Sequence, residues 1–417
     1  MLKNKRKYCK EKAKKNIYKI ALLLLIIFII LINNLNVYAV EPPSINAKSA
    51  IVVEKNTEKI MYEKDAYNQN YPASVTKILT AILVIENCNL DDIVTVSQTA
   101  ISSVPSDYVV APLFVGEQIR VEDLLYALML KSCNDAAYAL AEHVGGSNQG
   151  FADMMNKKAE EIGCKNTHFV NPNGIHNNNH YTTAYDLYLI SNYAMKNEIF
   201  AKIVSTHEYT LPATNMYKSA NRVMVNTNQF INQNSSFYDE NVKGIKTGTT
   251  NQAGNCLITD VEKKGLEYII VVLGADNAES KFKETKKMID YVSNNFALVK
   301  LHDKGEIITS VDVKNATEET QKLNLVISDE ILAMNNVEVK SDEITPEIKI
   351  TGNLVAPIQE GQQIGTVKYI VEGIEYTADL VAANNVEKKK NYDYIIVGGI
   401  CAVVILLFIT VKEKSKK

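Results

Sequence analysis

Ser74-Val75-Thr76-Lys77 sets a hydroxyl and an amine three residues apart. Ser132-Cys133-Asn134 sets a second hydroxyl near a carboxamide. Lys246-Thr247-Gly248-Thr249 sets a second amine beside two hydroxyls and a glycine. Acyl transfer needs a nucleophile, a base for its proton, donors for the oxyanion and a grip on the substrate. These three segments contain candidates for all four. Positions i and i+3 of a helix share a face, so the Lys77 amine can reach the Ser74 hydroxyl. At the N-terminus of a helix, Ser74 also has unpaired backbone N–H groups and the positive end of the dipole nearby. Lys77 acts as a base only if its pKa falls from about 10.4 toward neutrality. Burial and a second cation have that effect, and Lys246 is the natural second cation. A strand edge at Thr247-Gly248-Thr249 can pair with an extended peptide, and Gly248 leaves room for it. Lys246 and Thr247 can also bind a terminal carboxylate.

Singly, these motifs are weak signals. S-x-x-K recurs at Ser280–Lys283, and S-x-N recurs at Ser44, Ser219 and Ser293. K-T-G occurs once, and only one assignment puts all three in order on suitable elements. His176 and His180 have a metal-like i, i+4 spacing. Asn177-Asn178-Asn179 between them predicts a loop, and no neighbouring carboxylate or thiol completes a site, so no metal is expected. Cys133 has no nucleophile motif around it.

The elements that must carry these residues follow from hydrophobic periodicity. Residues 49–54 and 59–63 predict a hairpin. Helices are predicted over 74–87, 121–130, 135–144, 150–162 and 279–296, and strands over 242–249, 255–262 and 266–275. Strands at both ends with helices between predict an α+β fold, an antiparallel sheet covered by helices whose chain ends meet. From about 301 the texture changes to short alternating runs. A hairpin is expected around Glu372-Gly373, within a small C-terminal all-β domain covering 301–387.

The formal net charge of −3 averages unlike parts. Residues 1–39 carry +8, residues 388–417 carry +5, and the body between them carries −16, of which −10 lies in 301–387. No global basic field points to nucleic acid. The basic stretch Met1–Lys19, the apolar run Ile20–Ile32 and Val37-Tyr38-Ala39 predict a secretory signal over 1–39. Tyr394–Val411 is free of charge and is followed by lysines, which predicts a transmembrane anchor over 394–411 and a cytoplasmic basic tail over 412–417. The catalytic body is then expected outside the cytoplasmic membrane. Its four cysteines have no paired spacing, so free thiols are expected.

Together these segments resemble the D-alanyl-D-alanine carboxypeptidases, the low-molecular-mass penicillin-binding proteins of the serine peptidase S11 family. The likeness extends through Pro72–Lys77, Leu124–Ala139, Asn171-Pro172-Asn173-Gly174 and His180–Asp186. It implies a β-lactamase/transpeptidase-like domain over 40–300. It also implies roles: Ser74 as acylated nucleophile, Lys77 as its base, and Ser132 and Asn134 in the proton network and on the substrate amide. Lys246 and Thr247 would bind the terminal carboxylate, and the N–H groups of Ser74 and Thr249 would form the oxyanion hole. The implied substrate is the peptidoglycan stem pentapeptide, with β-lactam antibiotics as acylating inhibitors and no cofactor or metal. Cys133 departs from the family, which usually has Gly there. Two other readings remain. A class A-like β-lactamase would need an E-x-x-L-N segment, which is absent between Asn134 and Lys246. A catalytically inactive wall-binding protein would not need the intact motif residues.

Overall fold

The computed structural model describes residues 41–336, 344–390 and 393–414. The expected signal segment lies outside them. In chain order the elements that build the catalytic part are β1 (Ser49–Glu54), β2 (Ile60–Lys64), α1 (Lys77–Asn87), β3 (Ile93–Thr95), α2 (Gln98–Ser102), β4 (Gln118–Arg120), α3 (Val121–Met129), α4 (Asn134–Gly145), α5 (Asn148–Ile162), α6 (Ala184–Met195), α7 (Glu198–Ser205), β5 (Glu208–Leu211), β6 (Arg222–Val225), β7 (Val242–Thr250), β8 (Gly254–Lys263), β9 (Leu266–Ala275) and α8 (Ser280–Asn295).

The main sheet is antiparallel with strand order β2-β1-β9-β8-β7, so the first strands lie against the last and the ends of this part meet. Its two faces follow from side-chain alternation. Ile51, Val53, Ile269, Val271 and Leu273 face one core with helices α1, α3 and α4. Ala50, Val52, Tyr268, Ile270 and Val272 face a second core under α8. Burial on both faces explains why β9 reads LEYIIVVLGA with almost no polar interruption. Helix α1 is central: Ile78 through Val84 are all buried, and each large aliphatic side chain there contributes about 1.5–3 kcal/mol on burial.

One local detail differs from expectation. The helix predicted over 74–87 begins as a 3-10 turn, Ala73–Thr76, and becomes α-helical only at Lys77. Ala73 has φ of +50°, which bends the chain just before Ser74. Thr76 stands at the N-cap of α1 but directs its hydroxyl to the Ala73 carbonyl at 2.8 Å, so it does not cap the helix.

Beyond α8 come β10 (Phe296–His302), β11 (Ile307–Asp312), β12 (Lys322–Ile327), β13 (Ile331–Asn336), β14 (Glu347–Ile350), β15 (Gln363–Val371), β16 (Ile374–Ala382) and the helix α9 (Asp393–Lys414). β10 pairs with β13, and the others form a sheet of order β11-β12-β16-β15-β14 around Leu323, Leu325, Val367 and Leu380. β10 runs across position 300. The β15–β16 turn has Glu372 at φ +49° and Gly373 at φ +82°, the left-handed pair that matches strand twist in a two-residue hairpin.

Among the described residues no helix is long and apolar enough to cross a membrane. Within α9, Ile400, Leu406, Leu407 and Phe408 are exposed.

Candidate active site

The 3-10 turn before α1, the break between α3 and α4, and strand β7 converge. Ser74, Ser132, Asn134 and Thr249 line one cleft of about 510 Å³ together with Tyr108 and Asn173. Lys77 lies beneath it, fully buried, with Nζ 2.9 Å from Ser74 Oγ, 3.0 Å from Asn134 Oδ1 and 2.7 Å from the Asn173 carbonyl. Burial, and then the positive charge of Lys246, hold the Lys77 amine well below its ordinary value. Such an amine can be neutral and accept a proton from Ser74.

Lys246, Thr247 and Gly248 follow one another on β7. Lys246 is buried, and burial plus the charge of Lys281 lower its pKa to about 7. Its Nζ donates to the Thr247 carbonyl at 3.0 Å, and the Thr247 and Thr227 hydroxyls bond at 2.6 Å. Gly248 lies against the Ser74 turn: a Cβ there would come within 2.9 Å of the Ser74 backbone nitrogen. Ser132 has φ of +66°, and its buried Oγ has no hydrogen-bond partner among the described residues.

Several supporting residues were not identified individually from the motifs. Lys281, near the start of α8, is a third buried cation, itself lowered by burial. It lies in the Ser280–Lys283 match treated as ordinary helix, and nothing in its spacing separates it from the helix's other lysines. Asp135 follows Asn134 and is nearly inaccessible. Its carboxylate accepts from Ala111 N at 2.9 and 3.0 Å and from Leu113 N at 3.1 Å. Asn134 also binds the Val109 carbonyl, through its backbone N–H at 2.9 Å and its side chain at 3.0 Å. Two consecutive residues thus pin the 109–113 strap that walls the cleft.

His180 braces the turn that carries Ser74. Val170 N donates to its Nδ1 at 3.2 Å, so Nε2 carries the proton and donates to Thr76 Oγ1 at 2.9 Å. Burial, then His168 and His176, push its pKa down to about 3, so it stays neutral. The Asn171–Gly174 loop packs on the same turn, and Gly174 (φ +83°) would bring a Cβ to 1.8 Å from the Ala73 oxygen. Cys133 is buried, 3.9 Å from Met224 Sδ, with its thiol pushed up by burial. A thiol so disposed is no nucleophile.

Two family models match this chain. The D-alanyl-D-alanine carboxypeptidase model covers residues 36–277, and the penicillin-binding protein 5 C-terminal domain model covers 296–388. The chain is 33% identical over 351 residues to D-alanyl-D-alanine carboxypeptidase DacF of Bacillus subtilis, spanning 83% of this chain and 87% of that one. It is 30% identical over 361 residues to DacA of Haemophilus influenzae, spanning 83% and 86%. Among solved structures, penicillin-binding protein 5 of Haemophilus influenzae aligns with a TM-score of 0.65 at 28% identity, over 84% of this chain and all of that chain. The Streptococcus pneumoniae structure titled PBP3, a peptidoglycan synthesis regulatory factor, aligns with a TM-score of 0.69 at 27% identity, over 83% and 100%. The chain belongs to the D-alanyl-D-alanine carboxypeptidase family of serine peptidases, hydrolases of the penicillin-binding protein group, and carries that group's C-terminal β domain.

Proposed function

We propose that this enzyme removes the terminal D-alanine from peptidoglycan stem pentapeptides through an acyl-enzyme on Ser74. The observation that carries the reading is the Lys77 amine, 2.9 Å from Ser74 Oγ and held well below its ordinary pKa by burial and by Lys246. Lys77 takes the Ser74 proton as Oγ attacks the carbonyl of the penultimate residue. The N–H groups of Ser74 and Thr249 receive the oxyanion. The peptide C–N bond then breaks, and the proton passes by way of Lys77 and Ser132 to the departing D-alanine amine. Asn134 holds the substrate amide, and Lys246 and Thr247 hold the terminal carboxylate beside Gly248. Water hydrolyses the Ser74 ester and restores both groups. No cofactor enters this scheme, and the orphan Ser132 hydroxyl is available to complete the relay.

β-Lactams fit the same scheme as acylating inhibitors whose leaving group stays tethered. The carboxylate lining the cleft is Asp107, which is exposed, so no buried glutamate is present in that lining to speed deacylation as a class A-like β-lactamase requires. The chain is read as a signal over 1–39, a peptidase domain over 40–300 and a β domain over 301–387, with 394–411 seated in the cytoplasmic membrane. The exposed apolar side chains of α9 support the last assignment.

Intact-mass measurement after penicillin treatment, with mapping of the adduct, tests the mechanism. The expected result is one adduct on Ser74, and its loss together with a fall in D-alanine release of at least ~10³-fold in Ser74→Ala. An adduct on another residue overturns the assignment. Rapid β-lactam turnover without D-alanine release selects the β-lactamase, and absence of both activities selects the wall-binding reading. For the anchor, a chain ending before Asp393 should keep D-alanine release and lose cosedimentation with lipid vesicles.

A further inference from the structure

Helices α1 and α4 both begin at the cleft, with Lys77 and Asn134 as their first residues, and both run away from it. At their far ends three different ligand types come together. Cys88 caps the C-terminus of α1, His143 lies in the last turn of α4, and Asp92 sits in the loop just before β3. The Cys88 thiol, a ring nitrogen of His143 and a carboxylate oxygen of Asp92 lie within 4.8 Å of one another. We propose that these three residues form a divalent-metal site of the Zn²⁺ class, which clamps the distal ends of the two helices that present Lys77 and Asn134.

The donor set suits a borderline-soft cation: one thiolate, one imidazole and one carboxylate, with a fourth tetrahedral position open to water. Bonds of about 2.0–2.3 Å put tetrahedral ligand atoms roughly 3.3–3.8 Å apart, a contraction within the reach of side-chain rotation. The surroundings favour positive charge. Two helix C-termini, each the negative end of a dipole, meet there. Asn89 N donates to Asp92 Oδ2 at 3.0 Å, which orients the carboxylate and leaves its other oxygen available. The Cys88 backbone N–H bonds the Val84 carbonyl at 3.0 Å, which fixes the chain carrying the thiol. Cys88 and Asp92 are half-buried and His143 is exposed, so an ion can reach them from solvent. A thiolate is the ligand form, so binding replaces the thiol proton by the metal and releases that proton to solvent.

The site is remote from the motif residues, so its variants should leave D-alanine release intact. The test is titration of the full chain with Co²⁺, followed by competition with Zn²⁺. The expected result is one equivalent of Co²⁺ with a thiolate-to-cobalt absorption band, abolished by Zn²⁺ and absent in Cys88→Ser. His143→Ala and Asp92→Asn should each weaken binding at least tenfold, and Zn²⁺ should raise Tm in the parent chain but not in Cys88→Ser. A missing band, or one that survives Cys88→Ser, overturns the proposal. Should Cys88→Ser fail to fold, unchanged affinity in His143→Ala and Asp92→Asn overturns it equally.

Discussion

At the scale of the residue, the proposed mechanism depends on keeping one lysine neutral and another charged. Lys77 must be neutral to take the Ser74 proton, so activity should rise with pH as that amine deprotonates. Lys246 must be charged to hold a carboxylate. Its pKa of about 7 in the free enzyme means that kcat/KM should fall as pH climbs through that value. A bound carboxylate raises the Lys246 pKa, so kcat should persist to higher pH than kcat/KM. Lys281 adds to the lowering of Lys246, so Lys281→Ala should move the alkaline limb of kcat/KM upward. A pH profile of both constants checks the pair, and an unmoved limb in Lys281→Ala would show that its charge does not reach Lys246. Lys246→Ala should raise KM by roughly ten- to a hundredfold, the worth of a hydrogen bond to a charged group.

At the scale of the element, the cleft exists because backbone segments approach closely. β7 meets the turn before α1 with no room for a side chain at Gly248. Gly248→Ala must push backbone against backbone, and a displacement of that kind next to the nucleophile should cost about 10²-fold in β-lactam acylation rate. The strap over 109–113 is held in a different way, by the donors of Asn134 and the carboxylate of Asp135 on the first turn of α4. Asp135→Asn keeps the shape but turns an amide toward the N–H groups of Ala111 or Leu113, leaving a buried donor unmatched at about 1–3 kcal/mol. A lower Tm together with slower acylation is the expected pattern. Unchanged values for both would show that the strap holds without Asp135.

At the scale of the whole molecule, the β domain meets the catalytic part beside its first hairpin. Lys59 pairs with Glu372 in the β15–β16 turn, and Met334 and Ile374 pack on the core under α8. The ion pair is partly exposed, so Glu372→Lys should cost no more than about 1 kcal/mol and leave D-alanine release unchanged. Thermal melting and an activity assay check both halves. The −16 charge of residues 40–387 is carried mostly by the β domain, while the buried groups around Ser74 include three lysines. The negative field of the body and the cationic floor of the cleft are therefore separated in space.

Local pattern alone determined much of this architecture. β1, β9 and the central helices were legible because apolar runs of the right period have few alternatives, and the order of the three motifs placed Ser74, Lys77, Ser132, Asn134 and Lys246 on suitable elements. The polar stretch between Gly163 and Val242 hid α6, α7 and the β5–β6 ribbon, because short elements on the rim bury too little to leave a clear period. What only the tertiary structure decided is which remote groups meet. Spacing along the chain carries no record of the Asn173 carbonyl on Lys77, His180 beneath the nucleophile turn, Lys281 behind Lys246, or Cys88 beside His143. Those contacts arise when the sheet closes and the helices align, and the lowering of the Lys77 and Lys246 amines comes mainly from that burial.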